Sequence, residues 1–140
     1  MSSTPQNKIT SLPVIAITAG EPAGIGADII ADLQAHRFDA RLVIIGDRLL
    51  LEQRAKDLGK SLLLETYDKN LPADQGTLQL KHIAVNQPVQ TGELDTANVQ
   101  YVLDLLNTAC DGCLQGDFDA MVTAPIQKDI INIAGIPFTG

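Results

Sequence analysis

Several groups of residues have types and spacings that chemistry can use. The first is Thr18-Ala-Gly-Glu-Pro-Ala-Gly-Ile-Gly26. Glycines at 20, 24 and 26 allow close backbone approach to a ligand, and a helix that opens there can hold an anion on its free amides. The spacing is G-x-x-x-G-x-G. It is not the G-x-G-x-x-G dinucleotide fingerprint, and it lacks the Lys of a P-loop. A tight strand-to-helix connection with no ligand accounts for the same glycines. Glu21 suits phosphate poorly but can orient a cation or a hydroxyl. The second group is Thr123-Ala-Pro-Ile-Gln-Lys128, followed by Ile136-Pro-Phe-Thr-Gly140. Lys128 is a candidate for holding a phosphate or assisting proton transfer. Its bland alternative, a solvent-facing Lys in the first turn of a short helix, is mildly unfavourable for a cation.

Three further features read as structural. Asp47 follows a strand, where an acid can bind ribose hydroxyls or cap a helix. The missing glycine fingerprint favours the cap. Cys110-Asp-Gly-Cys113 is a C-x-x-C pair, but it falls late in a helical pattern, in line with its apolar face. Redox pairs sit at helix starts, and zinc would need two more ligands. The expectation is a pair of buried core thiols. His36 and His82 have no partner spacing that suggests a metal.

These residues must be positioned by elements that the hydrophobic pattern outlines. Residues 1–12 read as a flexible lead-in. Val14-Ile-Ala-Ile-Thr18 fits a buried strand. A helix follows, with Ile25, Ile29 and Leu33 on one face and Ile30 beside them. Leu42–Ile45 is a second strand, and Leu51, Ala55 and Leu58 mark a second helix. Leu62–Leu64 reads as a third strand, and Leu78, Leu80 and Ile83–Val85 as a further strand region. Val99, Val102, Leu103, Leu106, Ala109, Cys110, Cys113 and Leu114 give the strongest helix signal. Residues 119–124 form another strand, broken by Pro125. Residues 126–134 read as a short helix. Alternating strands and helices predict an α/β fold, a mostly parallel sheet covered on both faces. Ligands bind such folds at the carboxyl ends of the strands, which singles out the loops after Thr18 and Thr123.

Composition narrows the partners. The net charge is -7 and no basic run offsets it, which argues against nucleic acid and anionic membranes. A small phosphorylated substrate is compatible, since backbone amides and a few cations suffice to hold one. No apolar run spans a bilayer and the start is polar, so a cytoplasmic location is expected. Two cysteines leave no disulfide framework.

Together, the segments Ile17–Gly26, Ala109–Leu114, Thr123–Lys128 and Ile131–Gly140 resemble the 4-hydroxythreonine-4-phosphate dehydrogenase family of vitamin B6 (pyridoxal phosphate) biosynthesis. The likeness runs from about residue 13 to residue 140, departing at Ala124 and Gln127. It implies a three-layer fold like the isocitrate and isopropylmalate dehydrogenases, here incomplete. It implies a homodimer and NAD as cofactor. It also implies a divalent metal (Zn, Mg or Co) held by three histidines. The implied reaction oxidises 4-phosphohydroxy-L-threonine to a 3-oxo acid, which decarboxylates to an aminoacetone phosphate. In that family the metal and phosphate ligands lie beyond a Phe-Thr-Gly like residues 138–140, so none is assigned here and the chain alone is expected to be inactive. Gly20, Glu21, Gly24, Gly26, Thr123, Thr139 and Gly140 are the candidates for lying near substrate or cofactor, with Lys128 the catalytic candidate. A non-catalytic or vestigial α/β domain binding a small anion is the alternative.

Overall fold

The computed structural model describes residues 12–70, 77–85 and 98–124. The apolar, β-branched runs form strands β1 (Val14–Thr18), β2 (Arg41–Gly46), β3 (Leu64–Thr66), β4 (Leu78–His82) and β5 (Ala120–Thr123). Between them lie helices α1 (Gly26–Leu33), α2 (Arg48–Asp57) and α3 (Val99–Gln115). All strand pairs are parallel, in the order β3-β4-β2-β1-β5. β1 sits between β2 and β5, so the sheet is parallel, as the alternation of strands and helices predicts.

Side-chain parity assigns the faces. Register pairs Ala16 with Met121 and Thr18 with Thr123, so these residues share one face. Met121 Sδ lies 3.7 Å from Cys110 Sγ on α3, which places α3 over that face. The chain crosses from β1 to β2 in one direction and from β4 to β5 in the other, so right-handed crossovers set α1 and α3 on opposite faces of the sheet. Helices therefore cover both faces, and β2 is buried from Leu42 to Gly46, as expected of a central parallel strand. The core is aliphatic, with Ile30, Val43, Ile44, Ile45, Leu51 and Leu105 almost wholly enclosed. At the opposite end, β1 and β5 are laced by a reciprocal pair. Val14 N donates to Asp119 Oδ2 at 2.8 Å, and Asp119 N donates to Val14 O at 2.8 Å.

Four expectations are corrected. The buried face of α1 is Gly26, Ala27, Ile30 and Ala31, while Ile25 and Ile29 are 58% and 45% exposed. Small residues let the helix approach the sheet closely, which turns the bulkier pair outward. In α3 the buried stripe is Val99, Tyr101, Val102, Leu105, Ala109 and Gly112. Cys110 is exposed and Cys113 half-buried, so they are not a core thiol pair, and Leu114 points to solvent. The stripe runs through Gly112 because the Phe118 ring packs there, within 2.3 Å of where a Cβ would stand. In α2, Leu51 and Ala55 are buried but Leu58 is exposed, and Arg54 joins the stripe instead. Finally, β3 begins only at Leu64, set by its pairing with Leu78, and β4 ends at His82. Ile83 N turns to Gly46 O at 2.9 Å, and Val85 N turns to Asp47 Oδ2. Pro125 and residues 126–134 lie outside the described residues.

Candidate functional site at the carboxyl edge of the sheet

The chain's path reverses at β1. It moves from β1 to β2 on one side, then crosses back from β4 to place β5 on the other. Crevices at such reversals, on the carboxyl edge, are where open α/β sheets take ligands. Thr18 and Thr123 end β1 and β5 there in register, and Ala124 N donates to Thr18 O at 3.1 Å. Thr123 is exposed and Thr18 is 1% exposed. The Thr18 hydroxyl has no hydrogen-bond partner among the described residues. A buried hydroxyl left so costs about 1–3 kcal/mol.

The glycine loop rises from this edge. Gly20 turns it with φ +77°, a conformation that excludes most side chains. Residues 19–23 are buried, Glu21 included. Gly24 N donates to Glu21 O at 3.1 Å, closing a turn. Gly26 then opens α1 so near β1 that a Cβ would stand 1.9 Å from Ala19 O and 3.0 Å from Ala124 Cβ. Packing alone therefore demands glycine at 26. The loop is tight, as the bland reading requires. At the start of α1 the N-cap residue is Ile25, whose side chain makes no capping hydrogen bond. An aliphatic side chain has no oxygen to offer the first-turn amides.

Arg54 fixes the loop from the side, and the sequence reading missed it. It is 7% exposed. Its Nη2 donates to Gly24 O at 3.0 Å, and its Nε lies 2.7 Å from Asp28 Oδ1 in the first turn of α1. The signal was present: Arg54 interrupts the stripe of Leu51, Ala55 and Leu58 at the i+3 position, where an apolar residue belongs.

Asp47 proves to be a cap. Oδ1 accepts from Leu50 N at 2.9 Å and Oδ2 from Val85 N at 2.9 Å, so both oxygens serve backbone. Asp47 N donates to the Tyr101 hydroxyl at 3.0 Å. Burial pushes the Tyr101 phenol well above its ordinary range, and the nearby Asp47 charge adds to this, while the hydrogen bond from Asp47 N opposes it. The cap leaves no acid at the end of β2 for a ribose. His82 is structural too, its Nδ1 accepting from Arg48 N at 3.1 Å. His36 stacks at a tilt on Phe38. Among the described residues no group of three His, Cys, Asp or Glu can hold a metal. Of the candidates, Gly20, Glu21, Gly24, Gly26 and Thr123 come together at this edge. Lys128, Thr139 and Gly140 lie outside the described residues.

Known proteins share both sequence and fold with the chain. A family model described as "Pyridoxal phosphate biosynthetic protein PdxA" matches residues 38–140. The 4-hydroxythreonine-4-phosphate dehydrogenase of Chromobacterium violaceum is 51% identical over 128 residues, covering 91% of this chain and 39% of its own length. That of Citrobacter koseri is 48% identical over 129 residues, covering 90% and 39%. The crystal structure of the Burkholderia phymatum enzyme of the same name aligns with TM-score 0.80 at 27% identity, over 92% of this chain and 41% of that one. A terephthalate 1,2-cis-dihydrodiol dehydrogenase from Burkholderia xenovorans, TM-score 0.73 at 21% identity, shares the fold. The chain thus spans about two fifths of the length of the curated relatives it matches. No helix among the described residues is long and apolar enough to cross a membrane.

Proposed function

The chain belongs to the PdxA family of pyridoxal phosphate biosynthetic proteins, and on that premise we propose that it supplies the glycine-loop side of a 4-hydroxythreonine-4-phosphate dehydrogenase active site. The reaction read here oxidises the secondary hydroxyl of 4-phosphohydroxy-L-threonine. NAD would supply the hydride acceptor for the carbinol carbon when bound, and the hydroxyl proton would pass to a base. The 3-oxo acid then loses carbon dioxide to give an aminoacetone phosphate. The observation that carries this is the 51% identity to a relative of that name across nearly the whole chain.

The residues described here bind and orient. The uncapped amides of α1 suit an anionic oxygen of the ligand. The Thr18 hydroxyl, buried at the mouth of the crevice, offers a further donor or acceptor. Thr123 lies beside it in register. Asp47 does not suit a ribose, since both its oxygens are engaged. The divalent metal of the family does not fit the described residues, and no step is assigned to it. Lys128, Thr139 and Gly140 remain candidates for substrate contact. A homodimer in the cytoplasm completes the reading.

The test is a chimera joining residues 1–140 to the remainder of the Chromobacterium violaceum relative. It is expected to form reduced NAD from 4-phosphohydroxy-L-threonine in the presence of divalent metal, while the 140-residue chain forms none. A folded but silent chimera overturns the proposal. If that chimera still bound phosphate, the small-anion-binding reading would replace it.

A further inference from the structure

We propose that Cys110, Cys113 and Met121 form a binding site for a soft monovalent metal ion, Cu(I). The inference stands apart from the crevice at the carboxyl edge and does not depend on the dehydrogenase reading. Three sulfurs gather on one flank of α3. Cys110 and Cys113 lie about one turn apart in that helix, where residues three apart are surface neighbours. Cys110 is exposed and Cys113 half-buried. Met121 meets Cys110 from β5, with its Sδ 3.7 Å from Cys110 Sγ. Cys113 and Met121 both pack against the core. Two of the sulfur-bearing side chains are thus set by the fold, while the third is open to an incoming ion.

Spacing decides what this set can do. Cβ atoms three residues apart on a helix are ~5–6 Å from each other, whereas a disulfide needs ~3.5–4.5 Å. The two thiols cannot join without unwinding the last turns of α3, but one ion between them bridges that gap. Two sulfurs bound to a common ion at ~2.3 Å each stand about 3.8–4.0 Å apart at tetrahedral or trigonal angles. The separation of Cys110 Sγ from Met121 Sδ is already close to this. The donor types choose the ion. Zinc takes thiolate, imidazole and carboxylate, four at a time, and a thioether is not among its ligands. Among the described residues no group of three His, Cys, Asp or Glu is placed to supply them. Two thiolates with one thioether suit Cu(I). On binding, each thiol gives its proton to solvent, and each sulfur gives a lone pair to the ion. The ion enters already reduced, so no electron moves.

The test is an anaerobic titration of the 140-residue chain against Cu(I) held by bicinchoninate, whose coloured complex fades as the protein takes the ion. Wild type is expected to take one ion per chain, with three sulfur neighbours in the copper X-ray absorption spectrum. Cys110→Ser and Cys113→Ser should each abolish uptake at the same bicinchoninate concentration. Met121→Leu keeps the apolar volume and removes only the donor. It should weaken binding about tenfold or more, the scale on which metal affinity responds to losing a supporting group. Circular dichroism checks the fold of each variant, and the sulfur count in the wild type carries the test if one of them does not fold. Excess zinc should leave the copper bound. Copper left with bicinchoninate, a spectrum with only two sulfurs, Met121→Leu as tight as wild type, displacement by zinc, or one ion shared by two chains would each overturn the site. None of these outcomes touches the dehydrogenase reading.

Discussion

Substituting Gly26 by Ala asks what the glycine is for. The added Cβ would stand 1.9 Å from Ala19 O, where a carbon and a carbonyl oxygen need ~3.3 Å. Relief requires ~1.4 Å of movement in backbone, either at the end of β1 or at the start of α1. Overpacking a tight site costs about 1–3 kcal/mol and more when the neighbour is rigid. Better helix propensity returns at most ~1 kcal/mol, less at a first helical position. The net expectation is a loss of about 2 kcal/mol or more. Urea unfolding followed by far-UV circular dichroism reads this, as a midpoint lower by roughly 1 M for a typical slope. Gly24→Ala is the internal comparison, since its Cβ would stand 3.1 Å from Glu21 Cβ, a contact that small shifts can relieve. Gly26→Ala within ~0.5 kcal/mol of wild type, which is surface-substitution behaviour, would refute the packing argument. So would a Gly24→Ala loss as large. In that event the glycine would be kept for a ligand, and binding alone would suffer.

Three other outcomes are expected. Asp47→Ala should cost about 2–4 kcal/mol, combining a lost N-cap with an abandoned Val85 amide; Asp47→Asn, which keeps one acceptor, should cost less, and equal losses in urea melts would contradict the double role. The folded Tyr101 phenol titrates above its unfolded value of 10.0 because it is buried, so its contribution is intact below pH 10 and is lost as pH rises beyond it. Stability measured against pH should fall above that point, and less steeply in Tyr101→Phe; parallel curves would exclude Tyr101 as the cause. β5 is an edge of the described sheet with Val122 54% exposed, and such edges favour association. Light scattering of the 140-residue chain should rise with concentration, and Val122→Lys should suppress the rise; a monomer at every concentration would count against the edge.

The sequence conveyed the sheet better than the helices. β1 and β2 stood out because a strand covered on both faces needs an unbroken apolar run, and Val14–Thr18 and Leu42–Ile45 are such runs; β5, an edge strand that is mostly exposed, was marked by its short run ended by Pro125. Asp47 was legible as a cap because the dinucleotide glycine fingerprint that a ribose-binding acid accompanies is missing. The face of α1 was misread because large aliphatics were taken to mark the core. Ala27 and Ala31 mark it instead, since small size permits close approach. Cys110 failed for a related reason: Gly112, silent in any hydrophobic pattern, faces the core under Phe118. In the site, the glycine loop and Thr123 were visible as motifs. For Arg54 only its intrusion into the α2 stripe is legible; its role depends on α2 lying beside α1, which spacing within one helix does not reveal.

The pairing of Val14 with Asp119 bears on how the chain folds. The two residues are 105 positions apart, whereas Val14 meets its β2 partner Arg41 across a single helical connection. That shorter loop has roughly a quarter of the length, so closing the longer one costs ~1.2 kcal/mol more entropy, at ~0.6 kcal/mol per doubling. β1, α1 and β2 can therefore assemble early from local contacts, and β5 docks last. Until it does, β1 has one bare edge and Thr18 lacks its neighbour Thr123. The crevice is thus a late product of folding, and a nascent chain cannot display it before residue 123 has left the ribosome. A substitution that weakens the Asp119 link should slow the final docking step while leaving the early βαβ unit intact, separating the rate at which the site appears from the rate at which the sheet begins.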